Sequence, residues 1–459
     1  MKFNLYIVVY VAVIGALAIV ATSRALRNAI EKTCVYLFIT AHAFYSGVGI
    51  ARANTDDIYL VHYTVFMLCL VVGIRFGMFL YRSPGRAGVS GAMEVELTQI
   101  ARIGTLIYFG VQLLGLVYTN NLIPNFFRVV INIEDIFERK IAYKSDMITY
   151  LIFTAKVLLL PLVYIHMSRM KSSIRIVLLL IAILYIEIVQ LGYIGRSGLL
   201  SQLFVLSGCV IIHRSDRWIG RVKEGRRVDV SAADARMWKG IRRLILVAIV
   251  CLILGMPLLQ DFTAYRMGQA SDSNTTDSIR NLLAVETGFP NHYSFCEEYH
   301  GNSESAVHFS PGRYMSWIAT LPLPKFTSSP LGAVNINYRF SELRTGNLYG
   351  TPYFHVALPS LLGEGLLMYG SHFFWVHGLF LGFLIAVVIR FLSSVRSLRF
   401  WAVYIALSIV LMARGGSQGA ISVIVNYSLI VWLFLVIVFV RRHAKAIWAE
   451  IRKARAEAQ

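Results

Sequence analysis

Apolar residues gather along this chain in runs of about 20, the length a helix needs to cross a bilayer, and polar stretches separate them. Eleven runs have this character: Asn4–Ala21, Thr33–Ile50, Ile58–Leu80, Glu94–Val117, Asp146–His166, Ile174–Tyr193, Ser197–His213, Leu244–Leu259, His355–Phe391, Phe400–Met412 and Gly419–Val440. They predict an all-α polytopic membrane protein of about 11 transmembrane helices. The ninth run is overlong and reads as a broken or tilted lead-in followed by a full span. The tenth is short. One connection breaks the pattern of tight turns, because Gln260–Tyr353 is 94 residues long and holds 14 aromatic residues. Such a segment can bury surface, and a long ordered loop in a tightly connected protein is usually functional. It is expected to be mainly helical, with one helix over Asp277–Glu286 and another starting at Ser310-Pro311, where serine caps and proline takes the first position. A second loop, Tyr118–Lys144, has apolar residues near helical spacing and reads as a helix on the membrane surface or a lid on the long loop.

Composition agrees with this plan. Of 459 residues, 57% are hydrophobic and 15% charged, and the mean hydropathy is +0.62. The formal net charge of +19 would suit nucleic acid. Its distribution instead follows the positive-inside rule, so no nucleic-acid partner is expected. Loops after the odd-numbered spans, with the tail and the adjoining span-end residues Arg175 and Arg390, hold 27 of the 44 Lys and Arg, against 13 in the other set. That orientation puts the tail and the basic stretch 214–243 in the cytoplasm and the long loop outside. The domains expected are therefore residues 1–259 (spans one to eight), 260–354 (the outer loop), 355–440 (spans nine to eleven) and 441–459 (a basic cytoplasmic tail). The first run lacks a basic start and a cleavage site, and reads as a retained span rather than a signal peptide. None of the five cysteines, Cys34, Cys69, Cys209, Cys251 and Cys296, has zinc-site spacing. No P-loop is present, and neither a metal nor a cofactor is expected.

Residues that could carry chemistry cluster at the outer boundary. Two short turns, Gly192–Gly198 and Ala413–Gly419, each set one arginine among glycines: Arg196 and Arg414. Glycine lets a ligand approach the backbone, and a guanidinium grips phosphate with paired donors. Snorkelling to ordinary headgroups is the competing reading for each arginine. Glu364 enters the membrane within Leu358–Gly370, where an ionisable group is costly without a partner or a task. It reads equally as a base or as the counter-charge of a nearby arginine. In the long loop, Arg266, Arg280, Glu286 and His292 lie in or around the expected helix, and a lone histidine such as His292 is more often structural. Lys156 and Glu187 sit deep in spans five and six, and are expected to form a buried ion pair.

Together the Gly195-Arg196 turn, Tyr265-Arg266-Met267-Gly268, Leu321–Pro330, Leu358–Gly370 with Gly363-Glu364, and Ala413-Arg414-Gly415 resemble the Wzy family of oligosaccharide repeat-unit (O-antigen) polymerases. The resemblance implies a GT-C-like glycosyltransferase of the bacterial inner membrane with a periplasmic loop. Its donor and acceptor would be undecaprenyl-pyrophosphate-linked oligosaccharides, and a chain-length regulator would be a further partner. In that setting Arg196, Arg266, Arg280 and Arg414 would bind the substrate diphosphate, and Glu364, Glu286 or His292 would take the proton. An O-antigen ligase needs the same cations and a comparable loop. A lipid-linked oligosaccharide flippase is the rival of another class, against which the large loop and the lack of an internal repeat weigh.

Overall fold

The computed structural model describes residues 4–53, 57–81, 91–118, 147–191, 204–215, 289–301, 309–321, 336–348 and 357–437, with scattered positions between 235 and 246 and between 440 and 448. Among these residues the regular structure is entirely helical. The elements in chain order are α1 (Leu5–Ser23), α2 (Ala29–His42, continued by a π turn Ala43–Val48 and Gly49–Ala53), α3 (Ile58–Leu80), α4 (Gly91–Tyr118), α5 (Met147–Arg169), α6 (Ser173–Leu191) and α7 (Phe204–Ser215). The long loop contributes α8 (Tyr293–Gly301), α9 (Pro311–Thr320) and α10 (Ile336–Thr345). After it come α11 (Ser360–Phe373), α12 (Trp375–Ser394), α13 (Arg399–Gly415), α14 (Gln418–Tyr427) and α15 (Leu429–Ile437).

Among the described residues six helical stretches are long and apolar enough to cross a membrane: Leu5–Ser23, Ala29–Ala51, Ile58–Leu80, Glu96–Tyr118, Trp375–Ser394 and Arg396–Gly415. A seventh results if α14 and α15, bent by 43°, form one broken span. The chain is thus polytopic by the length and composition of its helices. The expected fifth, sixth and seventh runs correspond to α5, α6 and α7, and the eighth, Leu244–Leu259, lies outside the described residues, as does Tyr118–Lys144 but for its first residue. The ninth run is two helices, broken at Gly370 (φ 70°, ψ −178°). Exposed apolar side chains such as Leu5, Val9, Val13, Leu17 and Val20 line one side of α1, as lipid contact requires.

Two kinds of contact hold the bundle together. Small residues let α3 and α12 pack closely, the most extensive helix pairing among the described residues. Gly73 and Gly77 meet Leu379 and Phe383, while Gly378 and Gly382 meet Phe66 and Leu70, so backbone lies on backbone. The second is a buried charge network at the start of α2. Asn28 caps that helix, its side chain accepting from Glu31 N–H at 2.9 Å, and Arg27 N–H donates back to Glu31 at 2.7 Å. Arg390 of α12 then pairs with Glu31 (Nη2–Oε2 3.2 Å) and donates to the carbonyls of Met78 and Ala25. Arg390 is 2% and Glu31 1% exposed, so each depends on the other. Lys156 is likewise buried, on α5, whose main partner is α4. The side chain of Glu187 lies outside the described residues, and so does the ion pair expected between them.

The long loop is ordered helix where it is described, and it sits on α11. Ser310 caps α9 as expected, accepting from Arg313 N–H at 3.3 Å, with Pro311 in the first turn. The expected helix Asp277–Glu286 lies outside the described residues. Helix α8 packs along α11. There Tyr293 Oη meets Ser360 Oγ at 3.1 Å, and His300 Nδ1 lies 2.9 Å from the Leu367 carbonyl. Burial pushes the Tyr293 phenol up to about 12, so it stays protonated.

Candidate functional site

Glu364 is the centre of the site. It lies one turn into α11, fully buried, beneath loop helix α9 and beside the turn that joins α13 to α14. That turn is Gly415-Gly416-Ser417, and Gly416 has φ 81°, a backbone angle that glycine adopts without strain. The Ser417 N–H donates to Glu364 Oε2 at 2.8 Å and the Ser417 hydroxyl to Oε1 at 2.9 Å. His377 Nε2, from α12, lies 3.2 Å from Oε2. A carboxylate only accepts hydrogen bonds. His377 therefore donates from Nε2, and its Nδ1 makes no hydrogen bond among the described residues.

The network continues into the loop. Since Ser417 gives its single hydroxyl proton to Glu364, it accepts from the Tyr314 hydroxyl of α9. Tyr314 is buried, stacked on Trp317 and edge-on to His377 with ring centroids 5.6 Å apart. Burial, and then the Glu364 carboxylate, hold its phenol well above the ordinary range. A second tether comes from α10. Asn337 Nδ2 donates to the Gly415 carbonyl at 2.8 Å, and its backbone N–H points to Gln418 Oε1 at 3.4 Å. One turn is thus held by an interrupted span, a neighbouring span and two loop helices.

Arg414 is the last residue but one of α13, three residues before Ser417, and is half-buried. The structure therefore brings Glu364 and the Arg414 turn together. Glu364 makes no ion pair with an arginine among the described residues; its hydrogen bonds go to Ser417 and His377. His292 stands apart from this network, at the end of the 3-10 turn Phe289–His292. Its Nδ1 accepts from Arg344 Nε at 3.2 Å, and its ring lies edge-on to Phe340. Burial, and then the Arg344 charge, lower its pKa. Arg196, Arg266, Arg280 and Glu286 lie outside the described residues.

No family model, curated protein or solved structure matches the chain. The arrangement must therefore be read from its own chemistry. Among the described residues no group of His, Cys, Asp and Glu could hold a metal ion. What the turn offers is a half-buried arginine on a glycine-bearing turn whose backbone is held by a fully hydrogen-bonded carboxylate. A cation carried on backbone that is already held has less to rearrange around an anion, which favours electrostatic stabilisation. His377, Tyr314 and Asn337 were not among the candidates from sequence. His377 carried a usable signal, an ionisable residue inside an apolar run. Tyr314 and Asn337 carried none, because nothing local marks a loop residue for contact with a turn far along the chain.

Proposed function

We propose that this chain is a polymerase of undecaprenyl-pyrophosphate-linked oligosaccharide repeat units, a glycosyltransferase of the GT-C kind acting on the periplasmic side of the inner membrane. The observation that supports this reading is the Arg414 turn, fixed by Glu364 beneath an ordered loop at the boundary of an interrupted span. In the reaction, an acceptor hydroxyl oxygen attacks the anomeric carbon of the donor glycan. The bond from that carbon to the phosphate oxygen breaks, undecaprenyl pyrophosphate leaves with the bonding pair, and the hydroxyl proton passes to a base. Arg414, with Arg196, Arg266 and Arg280, offsets the charge that develops on the diphosphate. Glu364 is enclosed and already accepts three hydrogen bonds, so in this arrangement it fixes the turn. The proton then goes to Glu286 or to His292 once His292 has released Arg344.

The test is to incubate the purified protein with a lipid-linked repeat unit and separate the products. A ladder spaced by one repeat, lost in Arg414→Ala, is the expected result. Transfer of glycan only to a lipid-core acceptor would instead make the protein a ligase. Movement of lipid across liposomes without any new glycosidic bond would make it a transporter.

A further inference from the structure

We infer that the long loop assembles the arginine turn instead of merely covering it, and that Tyr314 and Asn337 are the positioning residues through which it does so. The inference rests on the proposed diphosphate role of Arg414. Its own support is geometric. The backbone at Gly416, just past the end of α13, has φ 81° and is tied to that helix by its N–H to the Met412 carbonyl. What fixes the following residue is the pair of bonds from Ser417 to Glu364, at 2.8 and 2.9 Å. What orients the Ser417 hydroxyl toward Glu364 is the Tyr314 hydroxyl, which occupies its acceptor side. What fixes the preceding residue is the 2.8 Å bond from Asn337 Nδ2 to the Gly415 carbonyl. Residues on both sides of Gly416 are thus held by the loop, Gly415 through its carbonyl and Ser417 through its hydroxyl. Arg414 precedes this clamp by a single residue. If α9 left its seat Ser417 would lose a buried hydrogen-bond partner, if α10 left Gly415 would lose a half-buried one, and in either case the arginine would lose backbone that holds it.

This gives Tyr314 a role that differs from packing. Tyr314→Phe keeps the ring against Trp317 and His377 and removes only the hydroxyl. Hydrogen–deuterium exchange of the full chain in detergent, read on peptides covering residues 413–419, should be faster in Tyr314→Phe and in Asn337→Ala than in the native protein, at closely similar melting temperature. Binding of undecaprenyl diphosphate should weaken roughly five- to tenfold in Tyr314→Phe, on the scale of one lost hydrogen bond. In the Arg414→Ala background the same change should have no further effect on binding, because the residue it positions is gone. Unchanged exchange over 413–419 in both variants overturns the inference, and so does an equal loss of binding on both backgrounds. Faster exchange in a protein whose native form does not bind undecaprenyl diphosphate upholds the loop-to-turn coupling and overturns the diphosphate reading of Arg414 instead.

Discussion

Replacing Gly382 with alanine should damage this fold more than any change of similar size on a lipid-facing surface. A Cβ at Gly382 would overlap the Leu70 carbonyl oxygen and stand 3.0 Å from the Ile74 nitrogen. Both are backbone atoms of α3, so no rotamer change relieves the clash. The helices must part by roughly 1 Å along their closest line, and overpacking of this kind costs about 1–3 kcal/mol. Parting also weakens neighbouring contacts at about 0.1–0.2 kcal/mol for each atom pair. The higher helix propensity of alanine returns about 1 kcal/mol at most. With the weakened contacts roughly offsetting that gain, a net loss of about 1–3 kcal/mol follows. Two controls separate clash from propensity. At Gly104 the three atoms nearest the added one all belong to the Leu162 side chain, which gives way more easily than backbone, and at Gly110 nothing lies within 4 Å. Melting in detergent, followed by intrinsic fluorescence, should rank Gly382→Ala well below native, Gly104→Ala slightly below, and Gly110→Ala at or above native. Gly382→Ala melting with Gly110→Ala would mean that α3 and α12 do not meet along these glycines.

Two further changes test the charge network and the loop. Glu31→Ala strands Arg390 in a buried site and should cost about 3–5 kcal/mol, whereas Glu31→Leu combined with Arg390→Met should cost less than the single change; additive losses in thermal melting would show that the two charges do not meet. The folded-state pKa of His292 is held below its unfolded value of about 6.5, so between those two values the unfolded chain binds the extra proton. Stability should therefore be fully present above about pH 6.5 and decline as pH falls toward the folded value, and His292→Gln should flatten that decline in a pH series of melting curves. A slope unchanged by the substitution would remove His292 as its source.

What could be read from sequence here is what is encoded locally. Apolar runs mark the spans because each run must satisfy its own backbone inside lipid. Ser310-Pro311 marks the start of α9 because capping involves only neighbouring residues. The glycines around Arg414 mark a tight turn for the same reason. Pairings across the chain left no such trace. Ser417 and Glu364 are 53 residues apart, Tyr314 and Ser417 are 103 apart, and Glu31 and Arg390 are 359 apart. Glu364 was recognisable as an expensive residue in an apolar run, but the identity of its partners was not. Of its two suggested roles, base or counter-charge to an arginine, neither included holding a turn through a serine. The four-residue spacing of Gly73 with Gly77, and of Gly378 with Gly382, is visible in the chain. That the two pairs face one another is a tertiary fact.

The break at Gly370 explains why the loop and the spans form one object. A continuous helix through residues 360–394 would satisfy its own carbonyls and would have no need of the loop. The non-helical backbone at Gly370 interrupts that ladder close to the Leu367 carbonyl. His300, at the end of loop helix α8, reaches it at 2.9 Å. A side chain at position 370 would close this approach, since a Cβ there would lie 2.6 Å from His300 Cδ2. At the other end of the same short helix, Ser360 has φ 64° and is met by Tyr293 of α8. One loop helix therefore serves both irregular ends of α11, and the segment between those ends carries Glu364. The carboxylate that holds the arginine turn is thus itself held by the loop, through α8 below the break and through Tyr314 above Ser417.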